Sequence, residues 1–177
     1  QQMGLQVMGG FIVGFDSDDE TIFQRMIDFI QESGIVTAMV GLLQAPAGTQ
    51  LYQRMLREGR IKKNYSGDNV DGETNIIPKM EADLLKVGYR KILDTIYSAK
   101  GFYERVRTFL KDYTPAQKPV SLHWEEIAAF LSSIVEIGIK SDERLQYWQL
   151  FFWTLFHHPK KFPLAITFSI YGYHFRK

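Results

Sequence analysis

The chain has 177 residues, of which 45% are hydrophobic and 14% aromatic, so it can bury a core of domain size and is not intrinsically disordered. Its 21 Lys and Arg residues against 20 Asp and Glu give a net charge of +1, which argues against a dedicated nucleic-acid-binding protein. The absence of cysteine excludes disulfides, a cysteine nucleophile and an iron–sulfur cluster held by cysteines of this chain.

A first strand–helix unit is predicted near the N-terminus. An apolar run with β-branched side chains at 7–15 is typical of a strand buried on both faces, as in parallel sheets. Ser17 and Glu20 then form a capping box, and apolar residues recur behind it at helical spacing. Gly34 is predicted to end this helix.

A second unit follows the same pattern. Residues 35–43 again indicate a buried strand, a turn with Pro and Gly occupies 46–49, and the next helix ends at Gly59. Strand, helix, strand and helix at this spacing predict parallel strands joined by a crossover helix.

The remainder of the chain is predicted to be helical. Residues 65–79 are rich in Gly, Asp and Asn, which favour turns, and are predicted to be a linker after the α/β part at residues 1–64. From residue 80 to 177, apolar stripes separated by helix breakers predict an all-α domain. The predicted fold class is therefore α/β followed by all-α.

Two glycines lie on one face of the first predicted strand, in the pattern Gly10-x-Ile12-x-Gly14. Without side chains at these positions, a flat ligand or another backbone segment can approach the strand closely. The other interpretation is that the glycines relieve crowding inside a barrel. The residues alone leave both interpretations open.

The turn after the second strand is another candidate site. In parallel α/β folds such turns lie at the carboxyl edge of the sheet, where active sites form, and the N-terminus of the following helix favours anions. Gln44 and Thr49 are predicted to face this edge. The alternative is a turn whose Pro and Gly serve only its geometry.

Three segments resemble the last two strand–helix units and the following link of a radical S-adenosylmethionine core: residues 10–20 (GFIVGFDSDDE), 41–52 (GLLQAPAGTQLY) and 66–78. The similarity is closest to the subfamily in which a cobalamin-binding domain precedes the core and a helical C-terminal domain of unknown function follows it. The resemblance implies two terminal βα units of a partial TIM-like barrel at residues 1–64, and the helical domain at 80–177.

The resemblance also implies the site residues. In that family the Gly-x-Ile-x-Gly strand packs beside the adenine of S-adenosylmethionine, which makes Gly10, Ile12 and Gly14 candidate cofactor-binding residues. The following strand also reaches the adenosine, so Leu43 and Gln44 are further candidates. No catalytic or metal-ligating residue is predicted in this chain.

Two departures from the family pattern bear on function. The Glu expected three positions after the second glycine is replaced by Ser17, with Asp16 and Glu20 on either side. The family's three-cysteine loop, which holds a [4Fe–4S] cluster, has no counterpart in this sequence. The resemblance therefore implies the C-terminal part of a larger enzyme of radical methyl transfer or rearrangement, whose cofactors are S-adenosylmethionine, the cluster and, as a further candidate, cobalamin. Alone, the chain would be inactive and would bind none of them.

Partners and location are also predicted. The expected partner is the remainder of the barrel, with a homodimer through the exposed sheet edge as the alternative. No nucleic-acid partner is expected, and no apolar run is long enough to span a membrane, so a cytoplasmic protein is predicted. A competing hypothesis is a stand-alone helical interaction or membrane-surface module without activity. Aromatic residues crowd 147–156, and 162–175 is apolar with cationic residues at its end, but membrane contact is the less favoured interpretation.

Overall fold

The computed structural model describes residues 1–62, 72–115 and 124–176. Two strands and seven α-helices lie in these residues: β1 Met8–Val13, α1 Thr21–Ser33, β2 Thr37–Leu42, α2 Gln50–Arg57, α3 Ala82–Ile96, α4 Ala99–Asp112, α5 Trp124–Val135, α6 Arg144–His157 and α7 Phe162–Phe175. A π-helical turn, Glu136–Lys140, follows α5, and a 3₁₀ turn, Pro159–Lys161, follows α6. An α/β part followed by a helical part confirms the coarse fold class.

The described residues form two compact units that are interleaved in sequence. The sheet unit contains Gly9–Phe29 and Thr37–Thr95, and the helical unit contains Gln1–Met8, Ile30–Val36 and Ile96–Lys177. The domain boundaries predicted after residues 64 and 79 stay a prediction.

β1 and β2 form a two-stranded parallel sheet. The Leu43 N–H donates to the Val13 carbonyl oxygen at 2.8 Å, which sets Val13 beside Leu42. β2 is buried apart from Met39, as predicted. The prediction of a strand buried on both faces is wrong for β1, in which Val13 is buried and alternate residues are exposed. The physical reason is that β2 is its one strand neighbour among the described residues, and one face of the pair lacks a covering layer.

The entry to α1 differs from the prediction. The helix begins at Thr21, so the capping box predicted for Ser17 and Glu20 is wrong. Asp19 caps the helix instead, because its carboxylate accepts hydrogen bonds from the N–H of Thr21 at 2.9 Å and from its hydroxyl. The end of the helix is as predicted, since Gly34 has a φ of 64°, which favours glycine.

Residues 72–78, which belong to the predicted linker, are joined to the end of β2; residues 65–71 of that linker lie outside the described residues. The side-chain amide of Asn75 donates to the Ala45 carbonyl oxygen at 2.8 Å and accepts from the Ala45 N–H at 2.9 Å. Ile76 forms an antiparallel bridge with Ile61. The buried Asn75 amide thus makes the pair of hydrogen bonds that a residue of a neighbouring strand would make.

α3 packs within the sheet unit through a face that contains a glycine. A Cβ atom on Gly88 would lie 2.3 Å from the Phe23 ring, so the helix approaches this ring as closely as a glycine permits. The Tyr89 hydroxyl donates to the Val40 carbonyl oxygen at 3.2 Å. This packing covers the side of the sheet that carries Val40 and Leu42, both of which are buried.

The core of the helical unit is rich in aromatic side chains from α4, α6 and α7. Its large buried members are Phe102, Tyr103, Phe109, Tyr147 and Phe168. Gly172 of α7 permits close packing on α4, because a Cβ atom there would lie 2.3 Å from the Phe102 ring. None of the helices in the described ranges has the length and apolar character needed to cross a bilayer.

Arg105 is fully buried in this core. Its guanidinium donates to the side-chain oxygen of Gln31 at 2.6 Å and to the carbonyl oxygens of Ile96 at 2.7 Å and Val36 at 3.2 Å. It also lies 5.4 Å from the centre of the Phe102 ring. Burial lowers the pKa of Arg105 to about 10. Neutral oxygens and an aromatic face therefore stabilise this charge in the interior.

Candidate functional site

The face of the sheet that carries Gly10 and Ile12 is open. A Cβ atom on Gly10 would have no other atom within 4 Å, and Ile12 is 48% exposed. The opposite face is covered, because Val13 is fully buried and the Phe11 ring packs edge-on against Phe29 with 6.0 Å between the ring centres. Crowding among the described residues therefore does not explain the glycine at position 10, whereas a ligand or chain segment on this face would.

Met39 lies on the same open face and was not predicted as a site residue. Because Val13 lies beside Leu42 and side chains alternate along a strand, Met39 shares a face with Gly10 and Ile12. Its side chain is 57% exposed in a strand that is otherwise buried. Only the pairing register between β1 and β2 identifies Met39 as a residue of the open face. A strand interpreted as buried on both faces gives no indication of that register.

Gly14 is a glycine for a different reason. Its φ of 99° lies in a region that side chains disfavour, and a Cβ atom there would lie 3.2 Å from Leu85 Cδ2. The Asp18 carboxylate accepts hydrogen bonds from the N–H groups of Gly14 at 2.8 Å and of Phe15 at 2.9 Å. The same Cβ position is 3.8 Å from the Leu43 nitrogen. Gly14 therefore turns the chain at the carboxyl end of β1, directly beside the end of β2.

Leu43 and Gln44 follow β2 at this carboxyl edge. Leu43 is partly buried, and its carbonyl oxygen accepts a hydrogen bond from the Thr74 hydroxyl at 2.5 Å. Gln44 is buried, and its side-chain amide donates to the Glu73 carbonyl oxygen at 3.2 Å. The structure thus brings Gly14 and Leu43 together, and it holds Gln44 against the segment that follows.

Asp16 lies in a cluster of cations at the same edge. Arg60 donates to its two carboxylate oxygens at 2.7 and 3.1 Å, Arg54 lies at 3.2 Å and Lys79 at 4.0 Å. The hydrogen bond from Arg60 is the largest cause of a lowered pKa for Asp16. Asp16 is therefore an ion-pair partner, and Glu20 lies exposed at the entry to α1.

The turn at residues 46–49 has the geometry of a helix entry. The Thr49 hydroxyl accepts from the Tyr52 N–H at 3.1 Å and donates to the Pro46 carbonyl oxygen at 2.8 Å. Gly48 has a φ of 86°, which favours glycine. Thr49 is thus the N-cap of α2, and the alternative in which the turn residues serve its geometry accounts for them.

The helical unit contains an apolar cavity of about 750 Å³ that the sequence did not predict. It lies between α5 and α7, and the apolar residues of its lining include Ile127, Phe130, Phe162 and Ile166. The two helices are distant in sequence, and each is apolar on most sides, so periodicity gave no sign of which faces would meet. A cavity of this size suits an apolar small molecule.

Comparisons of the sequence with known proteins identify a matching family and two relatives. The family model named "Domain of unknown function (DUF4070)" matches residues 49–177. Over 177 residues the chain is 30% identical to an uncharacterized methyltransferase, sll1242, of Synechocystis sp., covering 97% of this chain and 33% of that protein. Over 155 residues it is 27% identical to a hopanoid C-2 methylase of Rhodopseudomonas palustris, covering 82% of this chain and 28% of that protein. The chain thus spans about a third of the length of these relatives, and no solved structure matches.

Proposed function

The chain belongs to the DUF4070 family, the C-terminal domain of cobalamin-binding radical S-adenosylmethionine proteins, and from that premise we propose that it forms the end of the catalytic core and the C-terminal domain of a methyl-transferring enzyme. Two relatives, a methyltransferase and a hopanoid C-2 methylase by name, support methyl transfer as the reaction class. In this proposal β1 and β2 are the last two strands of a radical S-adenosylmethionine barrel, and the helical part contributes to substrate selection.

The open face of the sheet is the observation that carries this proposal. Gly10 has no atom within 4 Å of its Cβ position, and Ile12 and Met39 beside it are about half exposed. A flat, apolar ring fits a surface of this kind, because it needs close approach and apolar contact. We assign the adenine of S-adenosylmethionine to this face, with Leu43 and Gln44 as further contacts at the carboxyl edge. When bound, S-adenosylmethionine supplies a methyl group or, after one-electron reduction, a radical.

The iron–sulfur cluster belongs to another part of the protein in this proposal. The sequence has no cysteine, and the described residues contain no group of three or more His, Asp and Glu side chains placed to hold a metal ion. The donor set therefore does not fit a [4Fe–4S] cluster. We propose that the preceding part of the protein supplies the cluster and that cobalamin, if used, binds there also. The chain alone would then be inactive, and the cytoplasm stays the proposed compartment.

The partner proposed for β1 is the preceding part of the same barrel. β1 has one strand neighbour in the described residues, and its exposed face and outer edge are what a barrel strand presents before its other neighbour is added. A homodimer through this edge is the alternative arrangement. Both follow from the need to satisfy the unpaired backbone groups of an edge strand.

The reading frame before Gln1 tests the proposal most cheaply. A Cys-x-x-x-Cys-x-x-Cys motif within a preceding barrel sequence is the expected finding. A start codon directly before this residue removes the enzyme and leaves an interaction module.

A graded series at Gly10 tests the adenine site in the protein that carries the cluster. Gly10→Ala, Gly10→Val and Gly10→Leu are expected to weaken S-adenosylmethionine binding progressively, by more than tenfold for Leu, with formation of 5′-deoxyadenosine falling in parallel. The free energy of unfolding should stay within about 0.5 kcal/mol of the parent, because nothing in the described fold occupies this position. Unchanged binding across the series contradicts the assignment of adenine to this face.

A further inference from the structure

The outward face of α6 carries a stacked row of aromatic side chains, here called the aromatic ladder: Trp148, Phe152 and Phe156. The ring centres of Trp148 and Phe152 are 5.5 Å apart with 24° between the ring planes, and those of Phe152 and Phe156 are 6.3 Å apart with 14°. Residues four positions apart lie on one face of a helix, so the ladder runs along the helix axis.

Phe152 and Phe156 of the ladder are not needed for the core, whereas Trp148 is partly buried and packs against it. The inner face of α6 is filled by Tyr147, Leu150 and Thr154, all of which are buried. Phe152 is 49% exposed and Phe156 is 73% exposed. A helix that is apolar on all sides is usually buried on all sides, and large exposed aromatic patches mark binding surfaces. The outward half of α6 is therefore built for contact with something apolar.

The distribution of charged residues along the chain indicates which kind of apolar partner fits the ladder. Residues 144–177 contain five Lys and Arg and no Asp or Glu, whereas residues 1–143 contain 16 basic and 20 acidic residues. The C-terminal segment is thus cationic, although the rest of the chain is net acidic. Lys160 is exposed shortly after Phe156, where the ladder ends.

Of the acidic residues directly before α6, Glu143 cancels one of these five charges, that of Arg176, and the segment stays net cationic. Glu143 is buried and paired with Arg176, and Glu136 is paired with Lys140 at 2.6 Å. Asp142 is exposed at the opposite end of α6 from Phe156. Exposed cations, Arg144 and Lys160, therefore stand before and after the ladder in the sequence.

We propose that the aromatic ladder docks on the surface of an anionic lipid bilayer. Aromatic rings favour the boundary between acyl chains and headgroups, and Lys160 can reach the phosphate groups while its methylene stem stays in apolar surroundings. An amphipathic helix with an apolar face and cationic flanks lies in the plane of such a surface and binds more strongly when the lipids are anionic. Charge complementarity favours this partner over a second copy of the chain, which would bring two cationic segments together. The proposal does not depend on the enzymatic function proposed above.

Flotation with lipid vesicles tests the proposal on the 177-residue chain. The chain is expected to float with vesicles of phosphatidylcholine containing about a third phosphatidylglycerol, and at least tenfold less with vesicles of phosphatidylcholine alone, because the charge term needs anionic lipid. The double variant Phe152→Gln and Phe156→Gln should lose at least tenfold in partition to the anionic vesicles. Lys160→Glu should lose several-fold and reduce the dependence on salt.

Matched controls separate this surface from general stickiness. Phe29→Gln replaces an aromatic residue of the sheet unit that is 57% exposed, and Arg90→Glu reverses an exposed charge on α3. Both should float as the parent does, and circular dichroism should show the parent helix content in every variant. Failure of the parent to float overturns the proposal, and so does equal flotation of the parent and the double variant. A dimer in size-exclusion chromatography that the double variant dissociates also overturns it and assigns the ladder to a second copy.

Discussion

Gly10 and Gly14 belong to one sequence motif and yet are glycines for different physical reasons. Gly14 has a φ of 99°, which strains any side chain there, and a buried neighbour, Leu85, at 3.2 Å from its Cβ position, which leaves little room for one. Gly10 has an ordinary backbone and empty space where a side chain would be. The first glycine serves a ligand or partner in our proposal, and the second serves the fold.

Alanine substitutions should separate these two roles. Gly14→Ala is expected to lower the free energy of unfolding by about 1–3 kcal/mol because of the positive φ. Gly10→Ala should leave it unchanged or raise it slightly, because alanine reduces the entropy of the unfolded chain. Urea unfolding of both variants makes the comparison. A similar loss in both would mean that Gly10 is also constrained by the fold.

Asp16 gives stability a predictable dependence on pH. Arg60 lowers its pKa in the folded state, so the ion pair stabilises the fold above the usual carboxyl pKa and loses this effect as pH falls through the lowered value. Asp16→Asn should therefore cost about 1 kcal/mol at neutral pH and progressively less in acid. Urea midpoints measured between pH 7 and pH 3 check the sign. Asp94→Asn, at an exposed position on α3, is the control and should show no such convergence.

At the scale of elements, glycines set how closely helices pack. A Cβ atom added at Gly172 of α7 would lie 2.3 Å from the ring of Phe102, which is fully buried. Gly172→Ala should therefore destabilise the helical unit by about 1–3 kcal/mol through overpacking, although alanine favours helix. Thermal unfolding should show a lower Tm, and Gly172→Ala should cost less in a Phe102→Leu background than in the parent. A higher Tm for the single variant contradicts this packing.

The existence and type of most elements could be predicted from the sequence, because periodicity and helix breakers report on them directly. β2, α1 with its end at Gly34, and the helices after residue 80 are examples. The cover of β1 could not be predicted, because an apolar run shows what a strand is suited to, and its neighbours decide whether it is buried. The cap of α1 failed for a local reason, since Asp19, two residues after Ser17, accepts the backbone hydrogen bond at the helix entry itself.

Part of the candidate site on the open face of the sheet could be predicted from the sequence. The motif placed Gly10 and Ile12 on one face, and the structure leaves that face open. Met39 needed the register between two strands, which a single sequence does not give. Asn75 needed a contact across 30 residues with Ala45, and no local pattern reports such a contact.

At the scale of the whole molecule, the open sheet determines what the chain can still bind. β1 has one strand neighbour in the described ranges, so its outward backbone groups are not in a ladder there. In the chain alone, the outward amides of β1 are expected to exchange hydrogen faster than the amides that face β2. In the protein with a complete barrel, both sets should be protected. Equal exchange before and after completion contradicts the barrel as the partner of β1.

The hydrogen bonds of the Asn75 side chain make the fold sensitive to deamidation at this position. Its amide holds Ala45 through one donated and one accepted hydrogen bond, so the attachment depends on the nitrogen atom of the amide. Deamidation would replace that nitrogen with oxygen and set a carboxylate against the Ala45 carbonyl oxygen, with the loss of a buried hydrogen bond and a repulsion in its place. The join between the strand end and the following segment therefore depends on the Asn75 amide staying chemically intact.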